Sequence, residues 1–201
     1  MLGVFYEDRD FVFDTAQQAV NISLIAPDPV TGFTYDWDRR QDTATEAFSV
    51  FGSVIIDLTD DLELSGGLRY TDESKTAVIT VPFLHTFLQG PGFVAPGFNS
   101  GPIEFDDDNF SPEVTLRYQA TDDVNIFASF KTGFKSGGID NSALPTASVS
   151  VAGYRGEFGT LIFDDGTTQG GEIGLKAKWA DRAVTLNNTT HYYVFDEMQW
   201  E

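Results

Sequence analysis

Apolar and polar residues alternate along much of this chain with the two-residue period of a strand, and the helical period is almost absent. The clearest run is Leu62 to Thr71. Leu62, Leu64, Gly66, Leu68 and Tyr70 fall on one face, and Glu63, Ser65, Gly67, Arg69 and Thr71 on the other. Successive side chains of a strand point to opposite sides, so this is a strand with one apolar and one polar surface. Val50, Gly52, Val54, Ile56 and Leu58 give the apolar side of the strand before it. Thr59-Asp60-Asp61 between the two is a short Asx-type turn, so residues 47–73 predict a hairpin.

The unit recurs. Val114, Leu116, Tyr118 and Ala120 alternate with Glu113, Thr115, Arg117 and Gln119, the turn Thr121-Asp122-Asp123 follows, and Val124, Ile126, Ala128, Phe130, Thr132 and Phe134 take up the next apolar face. Ile173, Leu175, Ala177 and Trp179 lead to a third turn at Ala180-Asp181-Arg182 and a last strand from Ala183 to about Asp196. The turns stand about 60 residues apart, a repeat of a supersecondary unit and not of sequence. Long loops are expected at residues 82–109 and about 137–168, where glycine and proline gather, and from about 9 to 44, after a first strand from Gly3 to Asp8.

The pattern predicts an all-β, antiparallel up-and-down meander of about seven long strands. Short turns at one end, long loops at the other and strands of about ten residues or more describe part of a transmembrane β-barrel. Strands of a soluble sandwich run to about 5–6 residues and ordinary loops to about 4–6.

Composition narrows the options. Lys+Arg number 12 against 31 Asp+Glu, a net charge of -19, so no basic face is offered to nucleic acid. The chain has no cysteine, which removes disulfides, thiolate zinc sites and thiol nucleophiles. No apolar run approaches the roughly 20 residues of a membrane helix, but a membrane strand needs only about 9–11, and its polar side hides it from hydropathy.

Three stretches resemble the barrels of TonB-dependent receptors. Phe51-Gly52, Asp57-Leu58-Thr59-Asp60-Asp61-Leu62 and Gly67-Leu68-Arg69-Tyr70-Thr71 form one hairpin of that kind. Asn125-Ile126-Phe127-Ala128-Ser129-Phe130 with Gly133-Phe134-Lys135-Ser136-Gly137-Gly138-Ile139 resembles a strand climbing into an extracellular loop, and Gly171-Glu172-Ile173-Gly174-Leu175-Lys176 a descending one. The resemblance covers most of residues 45–200 and makes residues 1–201 a partial barrel domain of the bacterial outer membrane. It implies a barrel of about 22 strands in outer-membrane lipid, a lumen filled by a plug domain, and uptake of a scarce small solute, such as an iron–siderophore complex, driven by the TonB energy-coupling complex. No plug, coupling box or terminal aromatic strand is read in these residues, so a fragment is expected. A passive outer-membrane channel and a soluble all-β binding domain are the alternatives.

On this reading Arg69, Glu113, Arg117, Lys131, Lys135 and Lys176 face the lumen, where they meet plug or solute or pair across strands. Phe83, Phe87, Phe93 and Phe98 make loop 82–109 unusually apolar and mark it as a candidate solute-binding surface or a packed loop cap. Glu104, Asp106, Asp107 and Asp108 are expected to be a solvated loop segment, because their spacing lacks a calcium-loop pattern. His85 and His191 are too far apart in sequence to suggest a pair, and no nucleophile elbow, phosphate loop or dinucleotide fingerprint occurs. No catalytic residue, cofactor or metal site is expected.

Overall fold

A computed structural model describes residues 1–17, 27–90, 94–141 and 161–197. Seven strands, β1 (Leu2–Gln17), β2 (Trp37–Thr59), β3 (Leu62–Leu84), β4 (Phe98–Thr121), β5 (Val124–Lys135), β8 (Gly166–Trp179) and β9 (Val184–Asp196), form one antiparallel sheet in that order. Two short strands between β5 and β8, β6 (Gly138–Ile139) and β7 (Ile162–Phe163), pair as a separate ribbon. The meander and its tight turns agree with the alternation. At the third turn Ala180, Asp181 and Arg182 all have positive φ, and Arg182 Nε donates to Asp123 Oδ1 of the neighbouring turn at 2.9 Å.

Register sorts the two faces. Val4 lies opposite Val50, Val50 opposite Tyr70, and Tyr70 opposite Phe110, so the apolar sides of β1 to β4 join into one surface. Val114, Leu116 and Tyr118 continue it into Phe130, Ala128 and Ile126 of β5, and those into Gly171, Ile173 and Leu175 of β8. Phe110 is 61% exposed and Ile173 60%, so these side chains have no protein core to enter and need an apolar medium outside the sheet. The rings of Tyr70 and Phe110, 4.8 Å apart, close this apolar band on the loop side.

Beyond that aromatic pair the strands run on. β2, β3 and β4 have 23, 23 and 24 residues, about twice a bilayer crossing. Three loop boundaries are thereby corrected. The connection between β3 and β4 is residues 85–97, not 82–109; β1 reaches Gln17 and β2 starts at Trp37; and β8 starts at Gly166. The acidic run Glu104–Asp108 is strand, with Glu104, Asp106 and Asp108 on the outward face and Asp107 on the inward one. Asp72 faces Asp108, and Asp8 faces Glu46, in direct cross-strand register on the outward side. Here the outward face is acidic, and the inward face passes from polar Glu73, Lys75 and Asp107 to apolar Ala77, Ile79 and Ile103, so the apolar-out contrast that reveals the lower strand is lost and then reversed.

The core lies on the inward face at the loop end. Ala77, Ile79 and Val81 of β3 and Ile103 of β4 are covered by Val94 and by Ile139 and Leu161 from the β5–β8 connection. The inward face is therefore polar near the turns and apolar where the ribbon folds over it.

Candidate lumen wall and outer vestibule

Arg69, Glu113, Arg117, Lys131, Lys135 and Lys176 all lie on the face opposite the apolar surface, as the alternation predicts. Two of them, Arg69 and Arg117, are held by hydrogen bonds to neighbours on the wall. Arg117 Nη2 donates to Glu63 Oε2 at 2.9 Å. Arg69 donates from Nη2 to Ser49 Oγ at 2.9 Å and from Nε to Thr71 Oγ1 at 3.2 Å, with its guanidinium 5.8 Å from the centre of the Phe5 ring. Ser49 and Thr71 share a hydrogen bond of 3.0 Å and are buried beneath it. Phe51, Ser53, Gly67, Arg69, Ser111 and Glu113 line a shallow recess here. Glu113 stands opposite Lys131, yet its carboxylate turns the other way, over Gly67.

Large side chains on this face lie flat over cross-strand glycines. Phe51 covers Gly3, and Phe127 covers Gly174. A Cβ at Gly174 would stand 2.2 Å from the Phe127 ring, and one at Gly3 would stand 2.4 Å from Phe51, so only glycine fits beneath either ring. Lys176 Nζ sits 5.7 Å from the centre of the Phe127 ring.

At the loop end the ribbon is pinned onto the same face. Arg39, 2% exposed, donates to the carbonyls of Asp140 and Asn141 and to Gln41 Oε1. Gln41 Nε2 reaches the Ile139 carbonyl at 3.5 Å. Lys75 Nζ donates to Gly137 O at 2.6 Å and Ser136 Oγ at 3.1 Å, and pairs with Glu73 at 2.8 Å. Gly137 fits because its missing Cβ would fall 2.3 Å from the Phe163 carbonyl. Sequence reasoning missed Arg39 and Lys75, since neither belongs to a motif and their partners are backbone carbonyls roughly 60–100 positions away.

A second knot joins two loops. Asp28 Oδ1 accepts from the amides of Val30 and Thr31 and the Thr31 hydroxyl, and Oδ2 from the amide and hydroxyl of Thr86. The Thr86 hydroxyl foremost, then the amides, holds this carboxyl far below the usual carboxylate range, against the opposing pull of burial. Asp28-Pro29-Val30-Thr31-Gly32 is a turn signature that marks the site in the sequence, with Gly32 at φ 75°. Phe87 N donates to His85 Nδ1 at 3.1 Å beside it.

The phenylalanines of the β3–β4 connection do not converge. Phe83 packs with Phe33 and Tyr35, ring centres 5.1 and 5.3 Å away, on the outward side. Phe98 lies opposite Val81 and packs against the buried cluster. Phe87 is 70% exposed in a single 3-10 turn, Thr86–Leu88, and Phe93 lies outside the described residues. Among the described residues no group of His, Asp and Glu converges to hold a metal ion.

The sequence matches the family described as TonB-dependent receptor-like, β-barrel, over residues 2–196. The chain belongs to that family. Its fold is similar to that of the ferric yersiniabactin uptake receptor FyuA from Yersinia pestis, with a TM-score of 0.70 and 17% identity, over 98% of this chain and 26% of that one. It is also similar to the ferric-catecholate import receptor Fiu from E. coli K12, with a TM-score of 0.59 and 15% identity, over 98% and 27%. The alcaligin outer membrane receptor FauA from Bordetella pertussis follows at 0.51 and 13%, over 98% and 30%. No curated protein matches the sequence. The chain thus spans about a quarter of the length of the first two receptors. Family membership places it in the bacterial outer membrane, so the apolar surface meets lipid, the short turns lie on the periplasmic side, and the long connections point outward. The soluble-domain alternative is set aside by the same finding.

Proposed function

We propose that this chain is wall and outer vestibule of a receptor that takes up a scarce solute, such as an iron–siderophore complex, across the outer membrane. A plug domain fills the lumen of the intact receptor, and the TonB complex supplies the energy. The family match over residues 2–196 carries this reading, and the β6–β7 ribbon shapes the vestibule. The ribbon is folded onto the inward face by Arg39, Gln41 and Lys75 and sealed by Ile139 and Leu161, which narrows the outer lumen along β2–β4. A passive channel can also carry an inward-folded segment, so the choice between the two rests on the family match. Ferric-complex uptake is the role of two of the similar receptors, which supports the choice of solute class. On this reading the wall residues bind and orient, and no bond is made or broken. The test is iron-limited growth of cells whose sole TonB-dependent receptor is the full-length protein containing this chain. Growth that is lost on deleting TonB supports the reading, and growth indifferent to TonB returns the passive channel.

A further inference from the structure

Above the aromatic pair Tyr70–Phe110, the root of the β6–β7 ribbon is gripped at a single residue. Lys75 Nζ donates to the Gly137 carbonyl at 2.6 Å, and the Gly137 amide donates to the Asp107 carboxylate. Gly137 lies beyond the last β4–β5 pair, Glu113–Lys131, so a side chain of β4 takes the amide that the ladder has left. The ribbon also supplies cover. Gly137 and Asp164 close over Phe105, the neighbour of Asp107 on the inward face.

Asp107 is badly placed to be a carboxylate. Glu73 stands directly opposite it in the β3–β4 register, and Asp165 faces it from the ribbon's return to β8. Lys75 has three donors, and they are engaged by Glu73 at 2.8 Å, the Gly137 carbonyl and Ser136 Oγ at 3.1 Å. Lys135, at the end of β5, is the next cation on this face. Asp107 Oδ2 is enclosed and has no hydrogen-bond partner among the described residues. An oxygen already covered is out of reach of a plug or of further strands. Burial foremost, then Asp165, pushes this carboxyl above its ordinary range, against the amides of Gly137 and Asp108. Cover and Asp165 arrive with the ribbon, whereas Glu73 belongs to β3 and stays.

We infer that the β6–β7 ribbon is a pH-sensitive strap across the outer lumen, with Asp107 as its sensor: protonated Asp107 lets the ribbon dock firmly, and ionised Asp107 loosens it. Docking raises the affinity of this carboxyl for its proton. Its contribution to docking is therefore complete below the ordinary aspartate range and is lost as pH rises through the higher value of the docked state. The strap goes beyond the uptake reading and acts on the vestibule whatever solute passes.

The test is hydrogen exchange in the full-length receptor in detergent, read at the Asp140 amide, which bonds the Leu161 carbonyl across the ribbon. Each rate is divided by the intrinsic rate at the same pH. In the wild type, protection of this amide should fall by roughly threefold or more between about pH 4 and pH 8, while amides near Leu68 and Val114 hold theirs. Asp107→Asn keeps a carbonyl for the Gly137 amide and cannot ionise, so its protection should stay at the acid value throughout. Asp165→Asn removes one facing carboxylate and should shrink the fall. A flat wild-type profile overturns the strap, and so does an Asp107→Asn profile that falls as the wild type does. A fall shared equally by the amides near Leu68 and Val114 also overturns it, pH then acting on the whole sheet. If Asp107→Asn does not assemble, Asp165→Asn decides, and an unchanged fall in that variant overturns the proposal.

Discussion

Arg39 offers the sharpest test of how the outer vestibule is held. Its guanidinium is 2% exposed and spends its donors on two ribbon carbonyls, Asp140 O at 3.0 Å and Asn141 O, and on Gln41 Oε1 at 2.9 Å. Arg39→Met keeps most of the buried stem and removes every one of these donors. A hydrogen bond from a charged donor contributes roughly 1.5–3 kcal/mol, and repacking or water recovers part of that, so the ribbon should lose about 2–4 kcal/mol of docking free energy. Each 1.4 kcal/mol is a factor of ten, so the undocked population should rise about 30- to 1,000-fold. The barrel strands should be spared, because the β2–β3 ladder on either side of position 39 is unchanged. The reporter is hydrogen exchange at the Asp140 amide, which bonds the Leu161 carbonyl at 2.7 Å across the ribbon. In the full-length receptor this amide should exchange faster by that factor, while amides of β3 and β4 near Leu68 and Val114 keep their protection. Arg39→Lys should fall between, since one ammonium cannot span two carbonyls and a side-chain amide with the geometry of the fork. Unchanged exchange at Asp140 in Arg39→Met would refute the argument, as would equal loss of protection throughout the sheet.

Three further outcomes follow from the same geometry. Leu116→Arg puts a charge on the lipid side and should cost about 2–4 kcal/mol of barrel stability, whereas Thr115→Arg, one residue away on the lumen side, should assemble almost normally; urea midpoints of the two variants compare them. Gly174→Ala should cost about 1–3 kcal/mol by the same measurement, because the new methyl overlaps the Phe127 ring, and adding Phe127→Ala should recover part of the loss. The Asp28 carboxyl is lowered by folding, so its contribution is complete above the ordinary aspartate range, erodes as pH falls below that range, and is gone once pH has passed the much lower folded value. Proteolysis of residues 27–36 should therefore stay slow down to about pH 4 and quicken progressively below it, and Asp28→Asn should speed it most at neutral pH.

What the sequence disclosed depended on where each strand met its solvent. Between the turns and the aromatic pair Tyr70–Phe110 one face meets lipid and the other a polar lumen, so residues 62–71 spell out a strand without ambiguity. Above that pair the outward positions become Asp72, Asp106 and Asp108, and the inward ones Ala77, Ile79 and Ile103. Hydrophobicity thus changes sides along β3 and β4. Read with a fixed assignment of faces, the upper halves look like acidic loops with stray apolar residues.

The same reversal explains the fate of the candidate site. Phe83 and Phe98 are apolar residues near one loop and suggest a single surface, but the irregular register at Asp38–Arg40 and Val78–Thr80 leaves them on opposite sides of the sheet. Phe98 then joins the inward cluster, and Phe83 the outward aromatic trio. A bulge is a local choice of backbone that no alternation encodes, and one extra residue turns every side chain beyond it to the other face. The wall residues escaped this uncertainty because no bulge separates Lys131 from Lys135, or Glu172 from Lys176, in their ladders. For a barrel of this family, charge on an unbroken membrane strand can be assigned to lumen or lipid from sequence alone, whereas the occupants of the outer vestibule require the register.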